Sequence, residues 1–166
     1  MEWYVLRTVC GKEDAAVAIL QKMFLGIELI YPRRRVSWRK QGSYIDLVRP
    51  LFDGYLFISY PKDKIRAFDQ ALRMRNLNIA WLVYSGGELV PILNEERQLI
   101  QKLMGSEGIV EVSTVEKQHE QFQVVKGPLV GLEHIVTKVS RRNRRITVEI
   151  PMLDEVRKIE LEGNLI

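Results

Sequence analysis

The chain has 166 residues, 46% of them hydrophobic and 28% charged, with a formal net charge of +4 and a pI near 9.2. That composition is globular and leaves room for one medium domain, or a medium domain with a small one. One cysteine, Cys10, excludes an internal disulfide, and two histidines, His119 and His134, are too few for a histidine-rich metal centre.

The start, Met1-Glu2-Trp3-Tyr4, has neither the basic opening nor the apolar run of a secretory signal. No apolar stretch approaches the roughly 20 residues that cross a bilayer. A cytoplasmic protein without membrane contact, metal or cofactor is expected.

The run Trp3–Val9, aromatic and β-branched, predicts a strand that Gly11 ends. A helix follows from about Lys12, with Ala16, Ile19, Leu20, Met23 and Phe24 at helical spacing, stopping at Gly26. Ile27–Tyr31 reads as a second strand. After Pro32 a basic excursion, Arg33 to Lys40 with Trp38 inside it, turns at Gln41-Gly42 and returns to Val48, which predicts a projecting β-hairpin. Gly54–Tyr60 is a strongly apolar strand closed by Pro61. Lys62–Met74 predicts a second helix with Ile65, Phe68 and Leu72 inward. Trp81–Tyr84 reads as a strand turned at Gly86-Gly87, and Asn94 as the cap of a third helix that buries Leu99, Ile100 and Leu103.

This order is that of a split βαβ, ferredoxin-like domain, in which the first and third main strands lie together at the centre of the sheet. Both strands are apolar on both faces, although a sheet covered on one side needs only one. The surplus, with Tyr4, Phe52, Tyr55 and Phe57 as its aromatic members, leaves two readings open: an exposed partner site, or a face covered by the third helix or a loop.

Residues 107–120 change to Gly, Ser, Glu and Gln and are expected to be a linker between domains at 1–106 and 121–166. In the last segment Ile146, Val148 and Ile150 alternate with polar residues, and turns are expected at Gly127-Pro128, Arg142-Asn143 and Pro151. Short strands at this spacing predict a small SH3-like β-barrel, giving an α+β chain overall. Residues 1–110 hold 16 Lys+Arg against 12 Asp+Glu, and residues 111–166 hold nine of each. Four of those nine cations nevertheless sit in one run, Arg141-Arg142-Asn143-Arg144-Arg145. Clustered arginine is the footprint of a phosphate-contacting surface.

Both halves resemble the NusG family of transcription elongation factors. Trp3-Tyr4-Val5-Leu6-Arg7-Thr8 followed by Gly11-Lys12-Glu13 resembles the opening of its N-terminal (NGN) domain. Pro50-Leu51-Phe52-Asp53-Gly54-Tyr55-Leu56-Phe57 is similar to its aromatic strand, with Asp53 in place of proline. Val125-Lys126-Gly127-Pro128-Leu129-Val130-Gly131-Leu132 resembles the KOW motif. The resemblance implies an N-terminal domain that docks onto the clamp helices of RNA polymerase, with Trp3, Tyr4, Phe52, Gly54, Tyr55 and Phe57 carried over to that contact. Arg7, Lys12, Arg33, Arg34, Arg35, Arg39 and Lys40 are candidate DNA contacts at the transcription bubble.

Two departures stand out. His134 replaces the glycine expected two residues after Leu132, and the arginine run is more basic than protein contacts require. Both are similar to specialised NusG paralogues, most of all the LoaP group of antiterminators, whose KOW domain binds a structured RNA leader. Lys126, His134, Lys138, Arg141, Arg142, Arg144 and Arg145 are the expected RNA contacts. The alternative is a general adaptor that couples polymerase to Rho or the ribosome through protein contacts. A third, a ribosome-associated KOW protein, leaves the N-terminal half without a role. No catalytic residues are expected: Asp46, Asp53 and Glu88 are scattered, Cys10 lacks a histidine partner, and no phosphate-cradling glycine loop is present. The β-branched C-terminal segment, with Gly127, Pro128, Gly131 and Pro151, is expected to stay β, since each interior proline would cost a helix about 3 kcal/mol.

Overall fold

A computed structural model describes residues 1–75 and 78–166. The chain divides into two compact units, Met1–Tyr31 with Phe52–Arg97, and Pro32–Leu51 with Gln98–Ile166. The basic hairpin therefore groups with the C-terminal segment and not with the N-terminal domain as the expected boundaries had it.

The first unit is built on β1 (Glu2–Thr8), α1 (Glu13–Met23), β2 (Glu28–Ile30), β5 (Tyr55–Tyr60), α2 (Ile65–Met74) and β6 (Ala80–Leu82). Its sheet runs β2-β5-β1-β6, with β1 and β5 antiparallel at the centre from Glu2 opposite Tyr60 to Arg7 opposite Tyr55. This is the placement expected of the first and third main strands. On one face Tyr4, Leu6, Leu56 and Ile58 meet Ala16 and Leu20 of α1 and Ile65, Phe68 and Leu72 of α2 in a continuous core. Ile19, expected inward, is exposed at the edge of that helix face.

The second face is buried too. Trp3, Val5 and Phe57 are all closed off from solvent, with the Trp3 and Phe57 rings 5.6 Å apart and Phe52 edge-on to Phe57 at 5.9 Å. The Arg97 guanidinium sits 5.0 Å above the Trp3 ring. The segment after β6 continues along the edge of β1, donating from Val83 N–H to the Val5 carbonyl and from Ile92 N–H to the Trp3 carbonyl. Of the two readings left open by the surplus apolar surface, covering is the one observed for Trp3, Phe52 and Phe57, while Tyr4 belongs to the face packed on α1 and α2. Burying each such side chain stabilises the unit by about 1.5–3 kcal/mol.

The last helix, α3 (Asn94–Met104), begins one residue earlier than expected. Asn94 is its first helical residue, and the cap position falls to Leu93, whose N–H donates to the Glu96 carboxylate at 2.9 Å. The glutamate reaching back from the first turn does the work that an asparagine side chain was expected to do.

The second unit contains two sheets. β3 (Arg33–Lys40) and β4 (Ser43–Pro50) form the predicted hairpin, joined by Gln41 at φ 51° and Gly42 at φ 81°, the left-handed pair that matches strand twist in a two-residue turn. β7 (Ile109–Val110) pairs with β3 in parallel. β8 (Ser113–Gln118), β9 (Gln121–Lys126), β10 (Val136–Ser140), β11 (Arg145–Met152) and β12 (Glu155–Leu165) make a five-stranded sheet ordered β10-β11-β12-β8-β9. Ile146, Val148, Ile150 and Met152 of β11 are buried in strict alternation.

Residues 107–120 are thus not an irregular linker. β8 pairs with both β9 and β12, and only Ser113 and Val115 of it are buried, so its sequence offers too short an apolar alternation to mark a strand. Pro151 lies inside β11, opposite Val156. The turn falls two residues later, at Leu153 and Asp154, both with positive φ.

Candidate functional site

At one edge of the first unit, the end of β1, the turn before β5 and the end of β6 enclose an open, largely apolar cavity of about 680 Å³, lined among others by Arg7, Cys10, Gly54, Tyr55, Trp81 and Tyr84. Trp81 and Tyr84 are each roughly two-fifths exposed, as is Val9 beside them. Of the six residues expected at the polymerase contact, only Gly54 and Tyr55 line this cavity. Trp3, Tyr4, Phe52 and Phe57 are core.

Two buried carboxylates hold the cavity walls. Glu13, at the start of α1 and 3% exposed, accepts the Gly11 N–H at 2.9 Å and the Gly54 N–H at 3.0 Å on one oxygen. It thereby fixes the turns that present Cys10 on one side and Gly54-Tyr55 on the other. Gly54 adopts φ +79°, and a Cβ there would stand 3.0 Å from the Cys10 sulfur and 3.3 Å from the Thr8 carbonyl, so this turn admits only glycine without strain. On the opposite wall the Tyr84 hydroxyl donates to Asp69 of α2. Arg73, one turn on, pairs with the same oxygen at 3.1 Å and lies 5.4 Å over the Tyr84 ring. The hydrogen bond to Asp69, more than desolvation, raises the Tyr84 phenol above its ordinary value.

The second unit presents the cationic residues, and they separate into two kinds. Arg141 and Arg142 are exposed, with no side-chain partner among the described residues. Arg144, at φ 53°, is fixed. It donates to the Asn164 side chain at 2.9 Å, approaches Glu162 at 3.8 Å and lies 5.7 Å over the Tyr44 ring of the hairpin. Arg145 stands 4.0 Å from the other Glu162 oxygen. Lys126, His134 and Lys138 are exposed. His134 lies in a short 3-10 turn, Glu133–Ile135, without positive φ, so nothing at this position requires the glycine it replaces.

The hairpin divides in the same way. At its base Arg34 donates to the Pro50 carbonyl at 3.2 Å and to the Glu160 carbonyl. Arg35 makes a bidentate pair with Glu111 at 2.8 and 3.2 Å, while Arg33 is half-buried. At the tip Arg39 and Lys40 are exposed, together with Trp38 at 56% and Tyr44 at 60%. In the first unit Lys12 and Arg7 are exposed as well, Arg7 at the cavity.

Sequence reasoning missed Trp81 and Tyr84 as cavity residues, and Glu162 altogether. Alternation could have found Trp81, since Ala80 and Leu82 point inward on either side of it. Among the described residues, no group of three His, Cys, Asp or Glu is placed to hold a metal ion, and no helix is long and apolar enough to cross a membrane.

The chain is thus mixed α+β in two units, with an open, largely apolar cavity in the first and exposed cations and aromatic rings on the second. Comparison with known proteins gives its family. A family model described as transcription termination factor NusG matches residues 1–104. The transcription termination/antitermination protein NusG of Thermus thermophilus is 25% identical over 175 residues, covering 98% of this chain and 95% of that one. The protein of the same name from Halalkalibacterium halodurans is 23% identical, covering 96% and 94%. A solved structure of Thermotoga maritima NusG shares the fold at a TM-score of 0.55 and 17% identity, across 97% of this chain and 93% of that one. The chain belongs to the NusG family of transcription termination and antitermination factors.

Proposed function

We propose that this NusG-family protein is a processive antiterminator. Its N-terminal NGN domain binds the clamp helices of RNA polymerase, and its KOW domain recruits it through a structured leader RNA, as in the LoaP group. The polymerase contact centres on the apolar cavity of the first unit, where Tyr55, Trp81 and Tyr84 offer exposed aromatic surface on walls fixed by Glu13 and Asp69. Apolar cavities with a few fixed polar groups suit the insertion of side chains from an amphipathic helix.

The observation that carries the nucleic-acid half is the meeting of the arginine turn with the hairpin through Arg144 and Tyr44. Two cationic segments remote in sequence become neighbours, and exposed aromatics stand among them. Cations for the phosphates and aromatic planes for unpaired bases are the combination that binds RNA loops. Arg39 and Lys40 at the hairpin tip serve the same face, while Arg34 and Arg35 chiefly brace the hairpin.

The test is binding of the full chain to the leader RNA of its own operon across a salt series, beside Arg141→Ala/Arg142→Ala, with polymerase association measured for Trp81→Ala/Tyr84→Ala. Salt-dependent RNA binding weakened by the first variant, and polymerase binding weakened by the second, are expected. Polymerase association with no RNA binding would replace this reading with the adaptor that contacts Rho or the ribosome.

A further inference from the structure

Glu162, met above only as the partner of Arg144 and Arg145, is a buried carboxylate of the second unit. Ile159 and Leu161 of β12 are buried, so strand alternation turns Glu162 away from the core of the five-stranded sheet. It is nonetheless only 4% exposed. Ser37 of β3 covers it, giving its backbone N–H to one carboxylate oxygen and its hydroxyl to the other. Arg144 and Arg145 close the remaining side, at 3.8 and 4.0 Å.

A buried carboxylate persists only where hydrogen bonds and cations offset its lost hydration. Here those compensating groups come from two separate segments, the hairpin and the arginine turn. Glu162 therefore joins them. Arg144 keeps about 41% of its side chain exposed and Arg145 about 30%. At those distances Glu162 attracts both guanidiniums through charge rather than hydrogen bonds, and Arg144 is held in its plane by the Asn164 side chain at 2.9 Å and the Tyr44 ring, so both arginines keep an outward edge.

We infer that Glu162 is a positioning residue of the RNA-binding face, clasping the hairpin to the arginine turn at Ser37 and orienting Arg144 and Arg145 so that their outward edges read bases rather than only attract phosphate. This rests on the RNA-recruitment reading above. Arg141 and Arg142, exposed and unbraced, supply sequence-independent attraction. Arg144, braced by Asn164, Tyr44 and the Glu162 charge, has part of its ordering cost already met in the free protein, which is what base-edge recognition in a fixed plane requires, and the same charge keeps Arg145 beside it. Glu162 thus lowers the positive charge of the face and raises its selectivity.

The experiment uses the full chain as wild type, Glu162→Gln and Ser37→Ala, with the operon's leader RNA and a hairpin of the same length and scrambled sequence as probes. Affinities for both RNAs are measured, along with the rate of tryptic cleavage after Arg39 and Lys40. Glu162→Gln is expected to cut the leader-to-scrambled affinity ratio by about tenfold, the low end of what one well-placed arginine–base pair provides. Affinity for the scrambled RNA should hold or rise, because a negative charge has gone, and cleavage of the released hairpin should accelerate several-fold. Ser37→Ala, which deletes a single contact on the hairpin side, should move both readouts the same way by less.

An unchanged ratio, an equal loss of affinity for both RNAs, or an unchanged cleavage rate would overturn the inference. If Glu162→Gln fails to fold, Ser37→Ala decides by the same criteria. A wild-type protein with no preference for the leader RNA would sink the recruitment reading instead, and cleavage alone would then decide the clasp.

Discussion

Replacing Glu13 with alanine should remove one of the largest single polar contributions to the first unit. Its carboxylate is 3% exposed and accepts the Gly11 and Gly54 N–H groups at 2.9 and 3.0 Å. Hydrogen bonds to a charged acceptor contribute about 1.5–3 kcal/mol each, so losing both costs about 3–6 kcal/mol. A further few tenths come from the acidic residue lost at the start of α1. Glu13→Gln keeps one acceptor but points an amide donor toward the Gly11 N–H, and should cost about 1–2 kcal/mol. Asp14, the exposed next residue, serves as control, with Asp14→Ala expected within about 0.5 kcal/mol. The assay is urea unfolding followed by tryptophan fluorescence in a Trp38→Phe background, so that only Trp3 and Trp81, both in the first unit, report. A Glu13→Ala variant as stable as the Asp14→Ala control would refute the account of how the cavity walls are held.

Three further outcomes follow from the same geometry. Gly127→Ala should destabilise the second unit by about 3 kcal/mol or more, read as a fall in its unfolding midpoint, because φ there is +103° and the added Cβ would stand 2.6 Å from the Ser113 Cα and 2.8 Å from the Val112 carbonyl. The Tyr84 phenol is raised above 10.0, first by its bond to Asp69, so the folded form holds that proton more tightly than the unfolded one. The stability this provides is whole below about pH 10 and is lost as pH rises through the folded value; in alkaline denaturation series Tyr84→Phe should therefore show a shallower decline, with the part due to Tyr4, raised chiefly by burial, remaining. In RNA titrations against salt, Arg141→Ala/Arg142→Ala should reduce the log–log slope by about 1.4, at about 0.7 per phosphate on single strands. Arg144→Ala/Arg145→Ala should change it less, since Glu162 already neutralises part of their charge.

The helices and central strands of the first unit were legible because their cause is local. Ile65, Phe68 and Leu72 repeat at helical spacing and point into one core, and the left-handed pair Gln41-Gly42 admits little but a tight hairpin. The second apolar face of β1 and β5 could not be assigned from the strands themselves. Trp3 and Phe57 look the same in sequence whether a partner or the chain's own Arg97 and Phe52 cover them. β8 was missed for a related reason: only Ser113 and Val115 mark its buried side, and its second partner, β12, lies far along the chain, outside any short window of sequence.

The candidate site shows where composition stops being a guide. Arg141, Arg142, Arg144 and Arg145 are equivalent as a charge run, and a count of them predicts one uniform basic patch. The structure makes them unequal through a residue of opposite charge, Glu162, which is far from the run in sequence and beside only Arg144 and Arg145 in space. Alternation along β12 correctly turns Glu162 outward, but whether that side meets water or the hairpin depends on where Ser37 lies. Similarly, seven cations between Arg7 and Lys40 read as one class of DNA contact, whereas Arg34 and Arg35 are engaged at the hairpin base with the Glu160 carbonyl and with Glu111. A basic segment supplies charge from its sequence alone. Which of its cations stay available, and which are held in a fixed plane, is set by acceptors that only the fold brings to them.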